Sequence, residues 1–235
     1  MQRNTFHAMA VGAAKAFLAM ASITPVAAMA SDAQHWEIAT ATANLGDGWR
    51  ASAENITRFS QTRGFYELEQ NLMLGHEIGD KGGPLGMVFY LGYTHDPQYA
   101  HGNFTIMEHR FRQQLSFDRL LTLGPVRISG RMRVEQRWRE GITGTAWRLR
   151  PFIKATMPVV GKVMLVAAHE SFIDANRNGF QRLGGEERMR NSLGFNMPLN
   201  RRVNLELGYL NQHGFVPGGK DTNDNAATLE IKASF

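Results

Sequence analysis

The chain has 235 residues, with 26 basic and 21 acidic side chains for a formal charge of +5, and it has no cysteine. That length suits one all-β domain or two small ones, and the lack of cysteine excludes a disulfide framework, thiolate metal sites and cysteine nucleophiles. The basic residues are dispersed, which argues against a nucleic-acid-binding tail, and a mean hydropathy of −0.31 excludes a helical membrane protein while leaving a β-barrel open, since barrel strands alternate lipid-facing and interior residues.

Residues 1–30 read as a secretory signal. Arg3 and Lys15 precede the apolar stretch AFLAMASITPVAA, and Ala28-Met29-Ala30 fits the small-x-small cleavage rule. The apolar stretch is too short to cross a bilayer as a helix. Cleavage there predicts a single mature domain over residues 31–235.

Beyond Ser31 no apolar run reaches the ~18–20 residues of a membrane helix. The chain divides instead into extended, alternating segments: 36–45, 49–59, 65–76, 86–95, 104–117, 126–139, 146–157, 162–173, 186–197, 202–212 and 226–235. Turn signals such as GDG at 46–48, GDKGGP at 79–84 and PLNR at 198–201 separate them. Connections at 46–48, 77–85, 118–125, 158–161 and 198–201 are mostly short. Those at 60–64, 96–103, 140–145, 174–185 and 213–225 are longer or more polar. In an outer-membrane barrel the short turns face the periplasm and the longer loops face outside. Eleven segments conflict with the even strand number of single-chain bacterial barrels. The expectation is therefore ten to twelve strands, with ten favoured at roughly 20 residues per strand and connection.

Residues 126–139, VRISGRMRVEQRWR, frame the choice of architecture. The odd positions are polar throughout, whereas the even ones carry Val126, Ile128, Met132, Val134 and Trp138. This period of two marks a strand with unlike faces. A soluble sandwich would bury the apolar face. A transmembrane barrel would turn it to lipid and point the charges inward.

With the second arrangement, strand phase assigns the interior charges. Segment 65–76 contributes Glu67 and Glu69, and 104–117 contributes Glu108, Arg110 and Arg112. Segment 126–139 contributes Arg127, Arg131, Arg133, Glu135 and Arg137. The next two add Arg148, Arg150, Lys154 and Glu170. Glu186, Arg188, Arg190, Glu206, Glu230 and Lys232 complete the set. Basic and acidic rows are neighbours around the ring. Two readings follow: a paired ladder that fills a narrow barrel, or a basic constriction that favours anions. Arg131, Arg133, Arg148 and Arg150 are where an unpaired charge is expected.

Of the aromatics, which include Trp36, Trp49, Phe59, Tyr66, Tyr90, Tyr93, Tyr99, Phe104, Trp138, Trp147 and Phe172, several fall near predicted strand ends, as interfacial girdles would. Asp174, Asn176, Asn178 and Gly179 match half of a calcium loop, but position twelve is Gly185, so a polar exterior loop is expected. No hydrolase or phosphate-loop motif occurs. His95, Asp96 and His101 share one predicted exterior loop and are the best catalytic candidates. The final residues AATLEIKASF alternate and end on Phe235, like the terminal assembly signal of outer-membrane barrels, although Ala233 replaces the usual second aromatic.

Several motifs occur in a distinctive order. LGYTHD (91–96), EHRFRQQL (108–115), RMRVEQRW (131–138), RLRP (148–151), HESF (169–172) and ELGY (206–209) precede the terminal Phe. In this the chain resembles the bacterial outer-membrane proteins of domain-of-unknown-function family 2490, over nearly all of the mature domain. The resemblance implies an outer-membrane β-barrel of a Gram-negative envelope and carries over no catalytic residue.

The expected protein is a Sec-exported, single antiparallel up-and-down transmembrane β-barrel. Its interior is either a narrow anion-leaning channel or a plug. No cofactor, metal site or nucleic-acid partner is expected. Its partners would be outer-membrane lipid and, during biogenesis, the barrel-assembly machinery, with the oligomeric state left open. The alternatives are an outer-membrane hydrolase or lipid-modifying enzyme, and a soluble periplasmic β-barrel that binds an apolar ligand.

Overall fold

Period-two alternation survives in three dimensions as one closed sheet. The computed structural model describes residues 31–235, so the expected signal segment, residues 1–30, lies outside the described residues. The strands are β1 (Ala33–Gly46), β2 (Trp49–Ser60), β3 (Gly64–Glu77), β4 (Met87–Ala100), β5 (Asn103–Leu123) and β6 (Val126–Arg139). They continue as β7 (Ile142–Val160), β8 (Val163–Asp174), β9 (Gly185–Pro198), β10 (Val203–Gly214) and β11 (Thr222–Ser234), with one 3-10 turn at Asp80–Gly82. Each strand pairs with its neighbours in sequence, and the ring closes between β1 and β11. An all-β barrel was expected and is found.

The preference for an even number of strands is corrected. The first segment is a full member of the ring: β1 pairs with β2 on one side and with β11 on the other, from Ala33 opposite Asn225 to Thr42 opposite Ser234. An odd up-and-down count makes the first and last strands parallel. A parallel ladder still satisfies both backbones, with slanted and evenly spaced hydrogen bonds. Closure removes the edges whichever way the seam runs.

Two long strands consume connections that looked like loops, since β5 has 21 residues and β7 has 19. The expected loop at 96–103 is likewise strand up to a two-residue turn. His101 and Gly102 adopt φ of 50° and 81°, the left-handed pair that joins two twisted strands tightly. Loop length therefore distinguishes the two ends less than the segments suggested, and residues 78–86, expected among the short turns, form one of the longer connections.

Among the bulges that reset strand phase, two bring an extra residue into the interior. Arg58 pairs with Glu67 but Phe59 with Phe65, so Tyr66 is an extra residue and turns inward, 6% exposed. In β9, Phe172 faces Arg188 while Ile173 faces Glu186. Glu187 is the inserted residue, and its carboxylate bonds Arg148 from inside. Glu186, assigned to the interior by simple alternation, is exposed. A bulge adds one residue to one strand, and that inverts alternation beyond it.

The protein is polar inside and apolar outside. Among the described residues, nine apolar residues are buried against twenty-one polar or charged ones. Leu72, Leu91, Leu193, Phe195 and Leu207 stand outward at 45–64% exposure. Phe195, Leu207 and Leu229 are register partners across three strands, so the exposed surface is contiguous there. Glu37 also projects outward, opposite Thr57 and Leu229. The expected aromatic girdle divides in two: Trp49, Tyr93, Trp138 and Trp147 are exposed, whereas Trp36, Tyr66, Tyr90 and Phe172 are buried inside. Alternation selects the face of each aromatic, whatever its height on the wall.

One interior contact is unusually close. A Cβ on Gly75 would lie 2.3 Å from Tyr90 Cδ1 and 2.9 Å from Cγ, so the ring rests directly on the β3 backbone. Gly75→Ala is expected to cost about 1–3 kcal/mol by forcing Tyr90 from this seat. Urea unfolding of the variant checks it, and adding Tyr90→Ala should recover part of the loss. At the chain's end, the Phe235 amide donates to Thr42 O (2.9 Å) and its carbonyl accepts from Asn44 N (3.0 Å), which ties the terminal residue to β1.

Candidate functional site

The interior charges form a connected network from β2 to β8. Glu69 on β3 accepts from Arg58 Nη2 (2.9 Å) and Arg112 Nη2 (2.5 Å) and lies 3.5 Å from Arg110 Nη1. Glu135 on β6 presents a single oxygen, Oε1, to three guanidiniums: Arg150 at 2.7 Å, Arg112 at 3.3 Å and Arg133 at 3.9 Å. Arg150 continues to Glu170 at 3.0 Å, which also binds Arg131 at 2.6 Å. Nearer the rim, Glu108 holds Arg110, Arg137 and Arg139 at 2.6–2.9 Å. Arg110 also pairs with Asp96, and Arg58 with Glu67. Glu108, Arg112, Glu135 and Asp96 have no solvent exposure at all.

Most of the phase-assigned residues therefore lie in one cluster. Lys154, Arg131, Arg188 and Glu206 are half-buried; Glu206 accepts from Lys232 Nζ at 2.7 Å, below the cluster. Arg127 is an exception: it is exposed, and Val126, expected to face outward, is 4% exposed. The β5–β6 ladder shifts register between Phe117 and Leu121, and such a bulge bends the hairpin end that carries Arg127. Of the arginines expected to be unpaired, Arg131, Arg148 and Arg150 each reach carboxylates. Arg133 meets chiefly Gln114, at 2.7 Å.

Alternation alone missed several members. Arg58, Asp96 and Gln181 are in the network, and Asp174 and Glu187 pair with Arg148 beside it. Gln181 comes from a loop. Asn178 Oδ1 accepts from the amides of Phe180 and Gln181, and Asn176 Oδ1 accepts from Trp147 N. This turn folds Gln181 into the mouth, 2% exposed, where its Oε1 accepts from Arg137. The half-match to a calcium loop is thus a polar loop whose side chains bind its own backbone and that of β7.

At the loop end, the cluster floors a cavity of about 590 Å³. Arg58, Arg63, Arg139, Arg188 and Arg190 are among its lining residues, with Phe172 and Phe180. Among the described residues, Arg190 has no carboxylate within ion-pair distance. It bonds Gln212 (2.9 Å) and lies 4.7 Å and 4.6 Å from the ring centres of Trp36 and Phe172. Cation–π contact and an amide take the place of a counter-ion. Asp32 marks the rim. Burial raises its carboxyl, but hydrogen bonds from Ser60 and Thr62 and the nearby Arg63 hold it below the ordinary carboxylate value.

The expected catalytic loop does not assemble. Asp96 points inward on β4 to Arg110, His95 points outward to Gln70, and His101 sits in the turn. Strand extension to Ala100 puts His95 and Asp96 on opposite faces. Other outward polar groups do meet. Tyr93 Oη is 2.5 Å from His109 Nδ1. His169 Nδ1 is 2.8 Å from Asn191 Oδ1, and its Nε2 is 3.1 Å from Ser171 Oγ. The signal for the last group was H-x-S within one strand, since residues two apart share a face.

The family model described as "Protein of unknown function (DUF2490)" matches residues 33–223, from the start of β1 into β11. An uncharacterized protein of Methylorubrum extorquens is 26% identical over 205 residues, covering 83% of this chain and 82% of its own.

Proposed function

The chain belongs to the DUF2490 family, as its motif order implied, and from that premise we propose an outer-membrane barrel whose interior is closed by its own ion pairs. The loop end forms a blind, basic vestibule above this plug. The observation that carries the reading is the unbroken chain of buried pairs from Arg58 through Glu69, Arg112, Glu135 and Arg150 to Glu170. An ion that crossed would have to displace guanidiniums whose carboxylate partners cannot follow into water. The contiguous apolar wall supports lipid as its surroundings. The alternating final strand ending on Phe235 supports recognition by the assembly machinery. In this reading the N-terminal segment exports the chain through the Sec route.

Planar bilayers test the plug. The refolded chain is expected to insert without unitary current steps. Discrete openings with a reversal potential that favours chloride in a potassium chloride gradient would replace it with the anion channel. Insertion is checked separately by co-flotation with vesicles and by a boiling-dependent shift in gel mobility.

A further inference from the structure

We infer that His169, Ser171 and Asn191 form a base, nucleophile and orienting residue on the outer wall, and that they cleave acyl esters of membrane lipids. His169 and Ser171 lie two residues apart on β8, so their side chains share the outward face, while Glu170 and Phe172 between and beyond them are buried inside. Asn191 on β9 is the register partner of His169. The imidazole is held at both nitrogens. Nδ1–H donates to Asn191 Oδ1 at 2.8 Å, which leaves the Nε2 lone pair facing the Ser171 hydroxyl at 3.1 Å. A serine within reach of a base that is itself oriented by a third group is the arrangement that activates a hydroxyl, and asparagine serves as the third member in some convergent sites.

The position defines the substrate class. All three side chains are half-buried on the wall, outside the plugged interior. On one side Ile153 faces His169, and toward the short-turn end Leu193 and Phe195 are 46% and 47% exposed. Along the hydrogen-bonding direction, Asn191, Asn211 and Asn225 are successive register partners. An ester lying between apolar chains and a polar headgroup matches this boundary of apolar and amide side chains.

In the reaction, Ser171 Oγ attacks the ester carbonyl and its proton passes to His169 Nε2. The imidazolium returns that proton to the departing alcohol as the ester C–O bond breaks, leaving an acyl-serine. Water, deprotonated by His169, then releases the fatty acid and regenerates the hydroxyl. Asn191 is a positioning residue, which keeps the proton on Nδ1. The lipid substrate rests on the membrane residence proposed above, whereas the activated serine does not.

The full chain refolded in detergent micelles should react with a fluorophosphonate probe, with the added mass on the peptide that contains Ser171. Labelling should vanish in Ser171→Ala and slow by at least ~10³-fold in His169→Ala. Asn191→Ala should slow it on the order of 10²-fold, and Asn191→Asp should restore it. The boiling-dependent gel shift of each variant reports folding. In phosphatidylethanolamine–phosphatidylglycerol vesicles the wild type should release fatty acid and Ser171→Ala should not. A folded wild type that leaves the probe unreacted, or labelling that survives in Ser171→Ala, overturns the triad. Labelling in micelles without fatty-acid release overturns the lipid ester, and flotation of the chain with the vesicles tells that failure from a failure of the membrane reading.

Discussion

Glu135→Ala is expected to destabilise the barrel by about 3–5 kcal/mol, the usual cost of removing one partner from a buried ion pair. The expectation follows from convergence. One oxygen of Glu135 lies 2.7 Å from Arg150, 3.3 Å from Arg112 and 3.9 Å from Arg133, and the carboxylate has no solvent exposure. Removing it leaves three like charges facing one another in a space that a methyl group does not fill. Arg150 retains Glu170 and Arg112 retains Glu69, but Arg133 keeps only a neutral amide and a repulsive neighbourhood. Urea unfolding of the refolded protein, followed by the fluorescence of its four tryptophans, measures the change. A loss below ~1 kcal/mol would mean that water reaches the cluster and screens it, as at surface pairs. The more exposed Arg50–Glu77 pair, 2.6 Å apart at the opposite end, supplies the control, and Glu77→Ala there should cost at most about 1 kcal/mol.

Leu207→Arg carries the second large effect. Leu207 is 45% exposed on the outer wall between Phe195 and Leu229. For a protein in water, a half-exposed outward leucine exchanged for arginine changes stability within about ±0.5 kcal/mol. For a barrel in lipid, arginine at the bilayer midplane costs about 2–4 kcal/mol. Guanidinium titrations of the variant in phospholipid vesicles separate these outcomes, and a near-zero change there would remove the membrane from the proposal. The same exchange in the interior has no such meaning, because most interior arginines have carboxylate partners and the interior is polar whatever surrounds the wall.

Strand positions were legible because alternation is a local property. All eleven segments read from the chain correspond to the eleven strands, including the one set aside to make the number even. The face of Arg110, Arg112, Arg133, Glu135, Arg148 and Arg150 followed from the same periodicity. What alternation could not carry was any position past an inserted residue. Tyr66 and Glu187 enter the interior because a bulge admits them, and neither is flagged by its neighbours in sequence. His95 and Asp96 looked like loop residues because Asp-Pro reads as a turn, yet pairing with His109 and Glu108 keeps that segment in the ladder.

The sequence by itself determined an all-β chain with a charged face, an apolar face and a family resemblance, because between bulges a residue's side of a strand depends on whether its number is odd or even. Only the tertiary structure decided that the count is odd and the seam parallel, since closure depends on the register of residues at opposite ends of the chain. It also decided that the charges meet in threes around single carboxylates, and that His169, Ser171 and Asn191 touch. The spacing along β8 brings His169 to Ser171, but Asn191 and the converging guanidiniums reach their partners only when neighbouring strands stand side by side.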